Sequence, residues 1–168
     1  MPERPLAFLG RLALAAVLLA ASSVQAEQFR GVVSHVTDGD SIWVRRDTGG
    51  EPIEIRLLRL DAPEGCQAFG PQAKAALKQR VLRQPVIVHT QGQDDYGRTL
   101  ARIQHKGEDV GAWLVREGYA WATGNRKSAG PYTALEAEAR EAGKGLWSLP
   151  GVQSPRDFRR LHGRCERS

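Results

Sequence analysis

Charged residues occupy four borders between apolar or β-rich segments, where a strand or turn has no structural need for them. Asp38-Gly39-Asp40 precedes Ser41-Ile42-Trp43-Val44. Arg56 interrupts Ile55-Arg56-Leu57-Leu58. Asp61-Ala62-Pro63-Glu64 ends that run, and Asp94-Asp95-Tyr96-Gly97-Arg98 precedes Thr99 to His105. Carboxylates from separate turns can converge on a hard cation such as calcium, which takes carboxylate, carbonyl and water oxygens. Asp40 and Asp61 supply charge for this, and the Ala62 carbonyl supplies a neutral oxygen. Arg56 and Arg98 suit a phosphoryl group, because guanidinium is a rigid bidentate fork that stays charged. Glu64 is placed to take a proton from an attacking water. Each motif alone has a plainer reading: Asp-Gly-Asp as a turn, Asp-Ala-Pro-Glu as a loop with a helix cap, Arg56 as a side chain snorkelling from a strand end. Their joint occurrence, in this order and at these borders, favours chemistry. His35, His89, His105 and His162 are scattered and show no zinc-ligand spacing with the cysteines.

The elements that must hold these groups are legible from periodicity. Phe29 to Val36, Ser41 to Arg46 and Pro52 to Leu60 read as strands separated by Asp/Gly turns. In the third, Ile53, Ile55 and Leu57 share one face by the period of two. Gly70-Pro71 opens a helix to about Arg83, with Ala73, Ala76, Leu77 and Val81 on its apolar side. Pro85 to Thr90 and Thr99 to His105 are two further strands. A short helix follows, with Asp109 as N-cap and Gly118 past its end. Another begins near Thr133, where Thr133-Ala134-Leu135-Glu136 has the capping-box pattern. Three strands, a helix, two strands and two helices imply an α+β OB-fold: a five-stranded antiparallel β-barrel with three α-helices.

The 168 residues predict one compact domain behind a leader. Residues 1–26 have a basic start, an apolar middle from Leu12 to Ala21, and small residues at Val24 and Ala26 before a cleavage site. The apolar run is about half of the ~20 residues a membrane span needs. Residues 27–148 form the folded domain, and 149–168 read as a basic, poorly ordered tail. Without the first 26 residues the formal charge falls from +5 to +4. A small cationic domain suits a polyanionic partner, although solubility alone also accounts for the charge. Cys66 and Cys165 allow one pairing in an exported protein, or two free thiols. The expected location is therefore secreted or periplasmic, with no membrane span, no stable protein partner implied, and a monomeric state.

From Phe29 to Ser148 the chain resembles the thermonuclease (staphylococcal nuclease-like) family. The matching residues are Asp38-Gly39-Asp40-Ser41, Arg56 through Glu64, Phe69-Gly70-Pro71, Asp95-Tyr96-Gly97-Arg98 with Leu100-Ala101, Leu114 through Gly118, and Gly145-Leu146-Trp147-Ser148. The resemblance implies calcium-dependent cleavage of DNA and RNA that leaves 3′-phosphate ends. It implies Ca2+ held by Asp40, Asp61 and the Ala62 carbonyl, Glu64 as general base, and Arg56 and Arg98 on the phosphate. Departures concern substrate. Asp95 stands where a lysine helps hold a nucleotide, and Ala122 to Lys127 lack the aromatics that stack on a base. Tyr96, Trp121 and Tyr132 are the remaining candidates for substrate contact. The competing expectations are a non-catalytic OB-fold nucleic-acid-binding module and a structural domain stapled by Cys66–Cys165. The presence of Arg56, Glu64 and Arg98 together favours the enzyme.

Overall fold

The computed structural model describes residues 27–124, 128–163 and 165; the leader expected at residues 1–26 lies outside the described residues. Alternating apolar residues build a closed barrel from β1 (Gln28–Val36), β2 (Ser41–Arg46), β3 (Ile53–Leu57), β5 (Pro85–Gln93) and β6 (Thr99–His105). Neighbours pair antiparallel except at the seam, where β3 and β6 run parallel and shut the barrel. One side of each strand fills the interior. Val33, Ile42, Val44, Ile55, Val88 and Ile103 are fully buried there.

The third apolar run does not continue unbroken to Leu60. Arg59 takes a left-handed φ of 67°, so the strand breaks after Leu57. Leu60–Asp61 becomes a separate strand, β4, paired antiparallel with β8 (Trp121–Ala122) across Asp61↔Trp121. This break re-aims the acidic segment away from the line of β3.

Helix α1 (Gly70–Val81) has a proline in its first turn and buries Ala73, Leu77 and Val81 along one stripe. β7 (Glu108–Asp109) leads into α2 (Val110–Arg116), where Asp109 Oδ1 accepts the Ala112 amide at 3.1 Å as the expected cap. Helix α3 (Thr133–Glu141) lacks the capping box its sequence suggests. Tyr132 is its N-cap residue and gives no side-chain cap. The Thr133 hydroxyl donates back to Gly130 O at 2.9 Å, and Glu136 instead accepts from the Ala122 amide and Arg140. Glu136 thus ties α3 to β8. A 3-10 turn (Gly145–Ser148) returns Leu146 to a buried position.

The tail corrects the expectation of a poorly ordered extension. Pro155–His162 is a fourth helix, α4. Ser154 caps it, accepting from the Asp157 amide at 3.1 Å, and Pro155 fills the first turn. Among the described residues, no helix is long and apolar enough to cross a membrane.

Candidate active site

Arg56 sits on the barrel seam, opposite Ser41 of β2 and level with Leu100 of β6. Hydrogen bonds on both edges fix its Cα, and its side chain leaves the apolar face carried by Ile55 and Leu57. The guanidinium forms ion pairs with Asp40 and, at 2.9 Å, with Asp61. Burial lowers its pKa, the carboxylates of Asp61 and Asp38 oppose that shift, and the nearby positive charge of Arg98 adds to it. It remains a cation, since guanidinium does not deprotonate in proteins.

Asp40 lies in the turn before β2, closed by the Asp40 amide donating to Asp38 Oδ1 at 3.0 Å. Its own carboxylate accepts from the Ser41 hydroxyl at 3.2 Å and from the Ala62 amide at 2.8 Å. The second bond joins the two acidic segments. Gly39 makes that approach feasible, because a Cβ there would lie 2.7 Å from the Ala62 Cβ. Asp40 and Asp61 are only 5% and 9% exposed, so their charges must be met by partners within the site.

Glu64 follows on a half-buried loop. Its amide donates to Gln67 Oε1 at 3.1 Å, and its carbonyl accepts from the Gln67 amide at 2.8 Å. The start of α1 presses against this loop; a Cβ on Gly70 would fall 1.9 Å from the Glu64 carbonyl oxygen. Arg98 is held on the other side of the site by one residue. Asp94 accepts from the Arg98 amide at 3.0 Å and from Arg98 Nε at 2.8 Å. Burial raises the Asp94 pKa, but these bonds and one from the Tyr96 amide outweigh it and hold the carboxyl below its ordinary value.

Asp40, Arg56, Asp61, Ala62, Glu64 and Arg98 all line one open cleft of about 610 Å³. Asp38, Lys74 and Arg159 join them, as do Cys66 and Cys165. Those two cysteines are bridged, with their Cα atoms 5.7 Å apart. Three candidates for substrate contact are not part of the lining. Tyr132 is corrected outright: it is 5% exposed, and its hydroxyl donates to Asp109 at 2.9 Å. Burial and that carboxylate raise its pKa. Trp121 packs edge-on against Trp147 with Arg140 over one face of its ring. Tyr96 is exposed at the tip of the β5–β6 turn, 5.7 Å from the Arg98 guanidinium carbon.

Arg159 of α4 was read only as part of a basic tail, yet it is the most heavily engaged cation of the cleft. It donates to Asp61 Oδ2 at 2.8 Å, to Asp61 Oδ1 at 3.2 Å, and to Glu64 Oε1 at 2.7 Å. The bonds to Asp61 and then Glu64 raise its pKa against the effect of partial burial. The signal that could have placed it is Ser154-Pro155-Arg156-Asp157, a helix start with N-cap serine and first-turn proline.

Among the described residues no group of three or more His, Cys, Asp or Glu side chains gathers into a metal cluster. The donors present are the two buried carboxylates of Asp40 and Asp61 and the adjoining Ala62 carbonyl. An all-oxygen set with room for water fits a hard divalent cation and suits zinc or copper poorly.

Residues 54–149 match the family described as "Staphylococcal nuclease homologue". The chain is 40% identical to "Protein ParB" of Escherichia coli, over 95% of each chain. It is 40% identical to "Micrococcal nuclease" of Shigella flexneri, over 89% of this chain and 91% of that one. It is 32% identical to an "Uncharacterized endonuclease" of Haemophilus influenzae, over 76% and 71%. The barrel, the cleft on its seam and these near end-to-end matches agree: the chain belongs to the staphylococcal nuclease family.

Proposed function

We propose that the protein is an exported, calcium-dependent nuclease that hydrolyses phosphodiester bonds of DNA, RNA or both and leaves 3′-phosphate ends. The hydrolase class follows from family membership and from relatives named as nucleases. The observation that carries the residue roles is the convergence of Arg56, Arg98, Glu64 and the acids Asp40 and Asp61 on a single cleft.

In this reading Asp40, Asp61 and the Ala62 carbonyl hold the ion. When bound, a divalent cation supplies Lewis acidity toward a phosphoryl oxygen and a template for the substrate. The remaining work belongs to side chains. Arg56 and Arg98 grip the phosphate from two sides and meet the negative charge that grows as the phosphorus becomes pentacoordinate. Glu64 accepts the proton of the attacking water as its oxygen bonds to phosphorus; the P–O5′ bond breaks, and the 5′-oxygen leaves and takes a proton from solvent. Asp94 aims Arg98, and the Asp40–Ala62 hydrogen bond keeps the two acidic segments in register. Residues 1–26 act as a cleaved leader, so the working protein begins near Glu27; it works as a monomer.

The deciding experiment incubates the protein with single-stranded DNA, first with calcium and then with a chelator. Degradation that stops on chelation supports the reading, and binding without cleavage points to a non-catalytic OB-fold module. Glu64→Gln is expected to lower the rate by about 10²–10⁴-fold. Full activity in that variant would remove Glu64 as the base.

A further inference from the structure

We propose that α4 is an autoinhibitory latch, in which Arg159 competes with a divalent cation for the carboxylate of Asp61 and occupies the Glu64 carboxylate that serves as base. The inference rests on the metal-dependent reading above. It starts from charge. Asp40 and Asp61 both pair with Arg56, yet Asp61 is buried and carries a second cation. That cation is Arg159, with contacts of 2.7 and 2.8 Å to Glu64 and Asp61. It places a positive charge on the acids where a divalent ion would sit. Both oxygens of Asp61 already accept from guanidinium groups, Oδ1 from Arg56 and Arg159, Oδ2 from Arg159. A cation that draws on Asp61 must therefore share that carboxylate with Arg159 and sit against its positive charge, which repels it.

The helix is built to stay near the site without being welded to it. Its entry is pinned where the buried Gln67 side chain donates to Gln153 O at 2.7 Å. Its exit is pinned by the Cys66–Cys165 bridge. Both anchors lie on the short loop that carries Glu64, so Arg159, between them, faces that carboxylate. Tethering at two points gives Arg159 a high effective concentration over the cleft. Within the helix only Pro155 is buried, while Arg156, Arg160, Leu161 and His162 are exposed. A segment with so little buried surface opens at low cost. The helix also lies beyond residues 54–149, the part matched by the family.

The test is calorimetric titration of the whole protein with calcium chloride, without nucleic acid. Arg159→Gln should bind calcium roughly tenfold more tightly, since it removes a cation adjacent to the site. The double substitution Cys66→Ser/Cys165→Ser keeps Arg159 but frees the exit of the helix; it should shift affinity in the same direction by a smaller factor. The calcium concentration for half-maximal cleavage should fall in parallel. If the unaltered protein binds calcium and Arg159→Gln binds it equally or less tightly, the latch is wrong while the nuclease reading stands. If neither protein binds calcium, the latch is wrong, and if cleavage by the unaltered protein also persists in chelator, the metal-dependent reading fails with it.

Discussion

Asp94 shows how one side chain decides the usefulness of another. Arg98 can meet a phosphate only if its guanidinium is aimed, and Asp94 aims it through its amide and its Nε. Asp94→Asn retains the shape but loses the charge that holds the fork. We expect a fall in turnover of roughly ten- to a hundredfold, as for other small misplacements of a reacting group. The same contact sets a pH dependence. Because the folded Asp94 titrates below its ordinary value of 3.8, its stabilising bonds are fully present above that pH. They are lost as the pH falls through the lower folded value. A carbon-13 titration of the Asp94 carboxyl should give a midpoint under 3.8, and one at or above it would contradict the clamp. That Arg56, Glu64 and Arg98 gather at one cleft was readable in the chain, because each is a charge at the border of a strand. Asp94 and Arg159 were not given roles, since both look like ordinary members of charge-rich segments. Only the three-dimensional pairing distinguishes Asp94 from Asp95, or Arg159 from Arg160.

At the level of elements, the site depends on two close approaches and one interruption. The interruption at Arg59 separates β4 from β3 and lets β8 hold Asp61. Periodicity extended the third strand through Leu60, because Leu58 and Leu60 continue the apolar pattern while a left-handed arginine leaves no mark in it. The helix at Thr133 failed as a capping box for a related reason. Glu136 has a competing partner in the β8 amide, which local spacing cannot reveal. The approaches are at Gly39 and Gly70, where added Cβ atoms meet Ala62 and the Glu64 carbonyl. Gly70→Ala should destabilise the fold by about 1–3 kcal/mol and displace the Glu64 loop. Thermal denaturation together with cleavage rates checks this; an unchanged melting temperature would show that the α1 start can shift freely.

Across the whole molecule, one covalent link joins the loop after Glu64 to the far end of the chain. The bridge spans a sequence separation of 99 residues that includes α1, β5, β6 and the remaining helices. In the chain-entropy model a loop of that size contributes roughly 4–5 kcal/mol. Denaturant unfolding with and without a thiol reductant should show a large drop in midpoint on reduction, and identical midpoints would remove the bridge from the account of stability. The barrel seam constrains the molecule differently. Arg56 rides on a strand whose second edge is covered only by β6, which follows it in the chain after β4, α1 and β5. An incomplete chain therefore carries the acids and the arginine without the frame that aligns them. Because Arg98 stands one residue before β6, the parallel pairing that closes the cylinder is also what brings the two arginines to one wall, so neither can be displaced without opening the seam.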